Sequence, residues 1–315
     1  MTDGLFGHLP SSFLFGGKCM KQKPNMLGYK NEKTLGRMLV LPIFLLVFVL
    51  MGYPFINTLY ISLTNKRVGY EPEFIGFKNY VRLLADPTYW LVLKNTFVYM
   101  FLAVGMKLIL GMILAITLNE KFPGRAIVRM LLLVPWALPG MVAAMTWKWM
   151  YNDTFGIINS LLKNIGLIEV SIPWLSSKHL TLYSVIIVNI WRGVPFFIFS
   201  LLGGLQTIDG QMYEAAKIDG ANVLRRFWNI TVPSIFPVIS ITTMLSAIWT
   251  FNDFENIYLI TGGGPINSSS VIATYTYQIA FQYNEMAQAV SVAVSIMPIL
   301  ILMILFASKR IGKED

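Results

Sequence analysis

The sequence predicts an all-α membrane protein with six spanning helices, and three observations predict it. Of 315 residues, 55% are hydrophobic and 13% are charged, too little charge to cover a soluble surface. Apolar runs of about 20 residues recur along the chain, the length a helix needs to cross a bilayer. Most Lys and Arg residues gather at the ends of those runs. The net charge of +9 therefore reads as membrane orientation rather than as a surface for nucleic acid.

Residues 1–36 read as a cytoplasmic tail, with a short interfacial segment around residues 5–15. This start does not look like a signal peptide. Met1 to Phe15 holds Asp3 and no Lys or Arg, and Lys18, Lys21 and Lys23 come after the weakly apolar stretch. The single cysteine, Cys19, excludes an internal disulfide. A transmembrane domain follows over 37–310, with spans at 38–63, 91–118, 126–147, 180–205, 234–260 and 287–308. Residues 311–315 form a second short tail.

Fifteen Lys and Arg residues lie in the two tails and the second and fourth loops, against eight in the other loops. The positive-inside rule then puts both termini in the cytoplasm, and an even number of spans agrees. Prolines 42, 54, 135, 139, 195, 237 and 298 fall within or beside the spans. They can kink a helix and free carbonyls to line a cavity, or serve only as packing kinks.

Between the fourth and fifth spans lies a charged stretch, YEAAKIDGANVLRRFWNITVP, residues 213–233. Asp209 can cap a helix over 211–218 through its side-chain oxygen. Asp219-Gly220 ends that helix, since glycine tolerates the left-handed conformation. A second helix follows over 221–231, and Pro233 marks the start of the next span. Tyr213, Ala216, Gly220, Leu224 and Phe227 recur every three or four residues as a stripe of small and apolar positions. Two readings fit this pair of helices. It rests on anionic lipid with Arg225 and Arg226 near headgroups, or it docks to a cytoplasmic partner through its small residues and through Glu214 and Asp219.

The spacing of Glu214-Ala215-Ala216, Asp219-Gly220-Ala221, Phe227 and Pro233 resembles the EAA loop of ABC importer permeases, over residues 206–233. Further stretches resemble the carbohydrate-uptake group, and its maltose-permease type in particular: LLVPWALP at 132–139, NIWRGVPFF at 189–197 and NDFENIYLITGGGP at 252–265. The resemblance covers roughly residues 36–310. The chain departs from the pattern at Ile208-Asp209-Gly210, where the family usually has proline. It also lacks the extra N-terminal spans and the large periplasmic insertion of the maltose type.

The resemblance implies a six-span permease of the type I ABC importer fold in a bacterial cytoplasmic (inner) membrane. It implies an EAA coupling helix at Glu214, Ala215, Ala216, Asp219 and Gly220, inserted into a cleft of an ATPase. The implied partners are a second, homologous permease (a heterodimer), an ATPase dimer and an extracytoplasmic solute-binding protein. ATP and Mg belong to the ATPase, and no cofactor is expected on this chain. ATP closure of the ATPase dimer would switch the permease pair between inward- and outward-facing states. The family's sugar-contacting positions fall at Trp136, Gly140, Asn189, Arg192, Gly193, Phe196, Ser246, Trp249 and Thr250.

Arg192 and Lys107 stand inside spans, where a cation is costly unless partnered. For Arg192 the expected partner is a carboxylate such as Asp253. The alternative is a substrate carboxylate, which would favour acidic (uronate, alginate- or pectin-like) over neutral malto-type oligosaccharides. Lys107 in the second span is a candidate second cation, but snorkelling or a pair between spans is the expectation. Asp253, Glu255 and Asn256 read as structural or near the outer gate.

Enzyme classes find no support. No G-x-x-x-x-G-K-[ST] phosphate loop is present, and Gly17-Lys18 is only a fragment of one. His8 and His179 are the only histidines, too far apart for a metal set. No nucleophile elbow occurs. Two rival classes remain: a secondary transporter coupled to ions through Arg192, Asp253 and Glu255, and a membrane scaffold for a cytoplasmic enzyme.

Overall fold

The computed structural model describes residues 26–311, with side chains at 34–302 and at 305. The expected interfacial segment, Cys19, His8 and the C-terminal tail lie outside the described residues. The chain divides into two compact units, ending and beginning at Phe55 and Ile56.

In the first unit, α1 (Met26–Val47) starts well ahead of the expected span and passes through a π-helical turn at Phe48–Gly52. The helix goes on as α2 (Tyr53–Ser62). Its segment Thr34–Ser62 is long and apolar enough to cross a membrane. The side chains from Leu35 to Phe55 are exposed almost throughout, as expected for a helix whose surroundings are as apolar as itself.

The second unit begins within α2 at Ile56 and continues with α3 (Lys78–Ala85) and α4 (Pro87–Asn119). Asp86 caps α4 through its side chain, with Pro87 at the first helical position, where a missing N–H does no harm. At 33 residues, α4 is about 50 Å long and outreaches the hydrocarbon core. Then come α5 (Arg125–Ala137) and α6 (Gly140–Met150), meeting at 93° where Leu138-Pro139 interrupts them. The third span expected at 126–147 is therefore a broken one, bent at the prolines that can kink it. Next are α7 (Ile157–Asn164) and α8 (Thr181–Leu205).

The charged stretch folds as α9 (Gly210–Ile218), α10 (Val223–Arg226), a π-helical turn at Phe227–Thr231 and α11 (Val232–Ser234). Asp209 accepts from the Gln211 N–H at 2.9 Å, and Asn222 caps α10 through the Arg225 N–H at 2.8 Å. Gly220 has φ +74°, so the helix–turn–helix expectation matches the local structure. After a 70° bend comes α12 (Phe236–Phe251). The fifth span breaks again before α13 (Glu255–Ile260). Finally α14 (Ile272–Tyr277) leads through a π-helical turn to α15 (Met286–Ile311).

By length and apolarity three described helices can span, or five if each bent pair counts as one, with Met286–Leu302 a shorter apolar helix. The described residues contain no strand beyond one isolated bridge, Thr64 with Phe74.

The core lies between α4 and α8. Val92, Met100 and Leu118 of α4 pack with Phe197, Ile198 and Leu201 of α8, all essentially buried. Gly111 permits this approach: a Cβ there would collide with the Phe197 Cβ. Inside a bilayer such small-residue contacts carry helix association, because lipid removes most of the hydrophobic drive. At one end of α4, the Tyr275 hydroxyl donates to Asp86 Oδ2 at 2.7 Å. Burial opposes ionisation of Asp86, but hydrogen bonds from Tyr275 and Thr88 outweigh it and hold the carboxyl below its ordinary value. Burial and this carboxylate push the Tyr275 phenol up.

Candidate functional site

Two helices supply most of one polar cavity by the same arithmetic. On α8, Asn189, Arg192, Gly193 and Phe196 follow the spacing i, i+3, i+4, i+7, which lays them along one face. On α12, Ser246, Trp249 and Thr250 do the same, and Asp253 continues the series just past the helix end. All eight line a cavity of about 240 Å³, together with Trp136, Lys107 and Asn256. Eight of the nine residues expected along the sugar path thus meet in one place.

The ninth, Gly140, lies at the break between α5 and α6. A Cβ on it would strike the Glu255 carboxylate and come within 2.6 Å of both terminal nitrogens of Arg192. Glycine is therefore what lets the start of α6 press against that pair. Gly193 has a similar role toward Lys107, whose Cε would lie 2.8 Å from an added Cβ.

The charges are arranged differently from the expectation. Arg192 Nη1 pairs with Glu255 Oε2 at 3.4 Å, not with Asp253. Asp253 Oδ2 instead accepts from the Tyr99 hydroxyl at 2.6 Å, from Asn189 Nδ2 at 2.7 Å and from Asn256 Nδ2 at 3.3 Å. The break after α12 is the reason. It leaves Asp253 facing Asn189 and carries Glu255, in the first turn of α13, over to Arg192. Lys107 also departs from expectation. It is 4% exposed, so it does not snorkel, and it has no ion-pair partner among the described residues. Its Nζ donates to Thr250 Oγ1 at 3.0 Å and to Ser246 Oγ at 3.4 Å.

Two buried oxygens of the cavity wall, Asn189 Oδ1 and Asn256 Oδ1, make no hydrogen bond within the protein. A buried acceptor left so is costly, and a donor in the cavity would relieve it. Aromatic surface stands beside these polar groups. Phe196 and Trp249 sit with ring centroids 5.1 Å apart. Trp136 and Trp249 are 59% and 56% exposed, so this chain forms a half-shell rather than a closed chamber.

The positions expected for ATPase coupling lie elsewhere. Glu214, Ala215 and Ala216 are on α9, with Asp219 and Gly220 in the turn after it, and none lines the cavity. Ile218, Val223 and Leu224 beside them are strongly exposed. The Tyr213 hydroxyl meets Thr231 Oγ1 at 2.9 Å, tying α9 to the turn that follows α10. Among the described residues no group of three His, Cys, Asp or Glu could hold a metal ion.

Sequence reasoning missed Tyr99 as a member of this site and weighed Lys107 as a second cation beside Arg192 only behind snorkelling or a pair between spans. The signal for Lys107 was a lone charge in the middle of an apolar run. Tyr99 had none, since a tyrosine in a span is usually a packing or interface residue.

A family model described as binding-protein-dependent transport system inner membrane component matches residues 107–311. The trehalose/maltose transport system permease protein MalF of Thermococcus litoralis is 34% identical over 287 residues, covering 90% of this chain and 95% of the relative. The sulfoquinovosyl glycerol transport system permease protein SmoG of Agrobacterium fabrum is 31% identical, covering 84% and 86%. A chain in the crystal structure of a bacterial alginate ABC transporter, in complex with an alginate pentasaccharide-bound periplasmic protein, superposes with a TM-score of 0.77. It shares 22% identity and covers 92% of this chain and 99% of that one.

Proposed function

Since the chain belongs to the family of binding-protein-dependent transport system inner membrane components, and is thereby a permease of a sugar ABC importer, we propose that its cavity is one wall of an oligosaccharide path. The observation that carries this is the makeup of the cavity. Aromatic faces at Trp136, Phe196 and Trp249 stand beside unpaired acceptors on Asn189 and Asn256 and donors on Lys107 and Arg192. A sugar ring needs that combination, an apolar face to stack on and groups to meet its hydroxyls.

The partners we infer are a second permease that completes the half-shell, an ATPase dimer that carries ATP and Mg, and an extracytoplasmic binding protein. The α9–α10 pair suits the ATPase. It combines exposed apolar residues with Glu214 and Asp219 and a turn fixed by Gly220, so a moving ATPase can drive it as a rigid knob. On this reading both termini and the α9–α10 end face the cytoplasm, as the positive-inside count favours. ATP then drives the exchange between two states of the permease by binding one of them better.

Lys107, a cation on the wall without a salt bridge among the described residues, favours acidic oligosaccharides among the candidate substrates. The alginate transporter shares the fold, and the trehalose/maltose relative keeps a neutral substrate in play. Reconstitution of the full complex in lipid tests the reading. ATPase stimulation by the loaded binding protein should accompany sugar uptake, and neither should survive without the ATPase. Uptake that persists without ATPase and collapses with an ion gradient would replace this reading with secondary transport.

A further inference from the structure

We propose that Lys107 is the residue that selects a negatively charged sugar, its ammonium meeting a carboxylate of a uronate-type oligosaccharide. This rests on the reading of the cavity as the sugar path. Lys107 lies within the long helix α4 and is only 4% exposed, its ammonium held against α12 rather than turned to the surface.

The surroundings are built around the amine. Gly193 is opposite its stem, where any Cβ would collide. Thr250 and Ser246 accept from the nitrogen. The ammonium has a third N–H left over from these two bonds, and a carboxylate, which only accepts, complements it.

The other charges on the wall are already engaged. Arg192 is paired with Glu255. Asp253 spends its acceptors on Tyr99, Asn189 and Asn256, which ties α4, α8 and α13 together. Among the described residues neither Lys107 nor Asp253 has a salt bridge, and the Asp253 carboxylate attracts the ammonium across the cavity. Lys107 is the more deeply buried of the two, and a bound anion would relieve it further.

The test uses the whole transporter in proteoliposomes, with a uronate trisaccharide and the same trisaccharide reduced at its carboxyl groups to primary alcohols. Each sugar is supplied loaded on the binding protein. The wild type should import the uronate in preference. In Lys107→Met the ratio of uronate to reduced-sugar uptake should fall about tenfold or more, whereas Lys107→Arg should keep the preference. Lys107→Gln, which keeps a donor to the two hydroxyls without the charge, serves if the methionine variant does not assemble. An unchanged ratio in an assembled neutral variant would overturn the assignment. Preference of the wild type for the reduced sugar would do the same while leaving the import reading intact. Import of neither sugar would remove the oligosaccharide reading itself.

Discussion

Arg192 Nη1 stands 3.4 Å from Glu255 Oε2 with Gly140 packed against both side chains. Three elements meet there: the middle of α8, the first turn of α13 and the start of α6. The pair is part exposed, at 32% and 46% for the two side chains, so water screens its attraction. Its value is positional, because it fixes the break of one bent span against the break of another.

Gly140→Ala should therefore disturb the cavity. The atoms in the way are the ends of two flexible, part-exposed side chains, so the easiest relief is to push the Arg192–Glu255 pair apart at little cost in stability. Transport should drop about tenfold while the assembled complex survives gel filtration. Wild-type uptake in the alanine variant would show that the contact at Gly140 is slack.

Arg192→Gln separates an ion pair from a ligand. With Glu255 as its partner, the substitution should lower uptake of neutral and acidic sugars by similar factors, and Glu255→Gln should add little to it. Selective loss of acidic sugars would return Arg192 to the role of substrate ligand.

Gly220→Val should uncouple the transporter. At φ +74° a β-branched residue costs about 1–3 kcal/mol of backbone strain. The turn between α9 and α10 should then re-form in another shape, and substrate-stimulated ATP hydrolysis should fall while membrane insertion is unaffected. Gly220→Asn, which tolerates the left-handed region, should retain most of the stimulation. Normal stimulation in the valine variant would sink the coupling role of this turn.

The Asp86–Tyr275 contact predicts an acid sensitivity. Folding lowers the Asp86 pKa below 3.8, so its contribution is complete above that value and fades as pH falls through the lower folded value. Tyr275 is shifted the other way, so its contribution fades as pH rises past the ordinary tyrosine range. Tyr275→Phe should lower stability by about 1 kcal/mol near neutral pH, the partial exposure of Asp86 keeping the loss small. Thermal unfolding in detergent at pH 7 and pH 3 is the check. The gap between wild type and variant should shrink at the lower pH, and a constant gap would mean that packing, not the charged hydrogen bond, carries the effect.

The all-α membrane class was legible because apolar run length and flanking charge are one-dimensional signals, and the resemblance of residues 213–233 to the EAA loop pointed to the permease fold. The polar positions of α8 were legible as Asn189 and Arg192 interrupting an apolar run, and the resemblance singled out Gly193 and Phe196 beside them. The bends were not. Pro135 and Pro139 announce a kink in the third span, but the 93° angle depends on what α6 packs against. The fifth span reads as one unbroken stretch over 234–260, so Asp253 was the example of a carboxylate partner for Arg192, where the structure has Glu255. Once the helix stops at Phe251, Asp253 and Glu255 point to different neighbours. Lys107 shows the same limit. A single lysine in a run reveals a charge without its direction, and only the packing of α4 on α8 turns it toward Ser246 and Thr250.

The half-open wall at Trp136 and Trp249 has a consequence for heredity. On the paired-permease reading, one gene encodes this side of the path and another gene the facing side. Sugar preference is then a joint trait, and a mutation in either gene can retune it. Duplication of the partner gene alone would give a lineage a second diet while this chain stays unaltered. Exchanging the partner for a homologue should shift the order of preferred sugars, measured by uptake, with every residue of this chain unchanged.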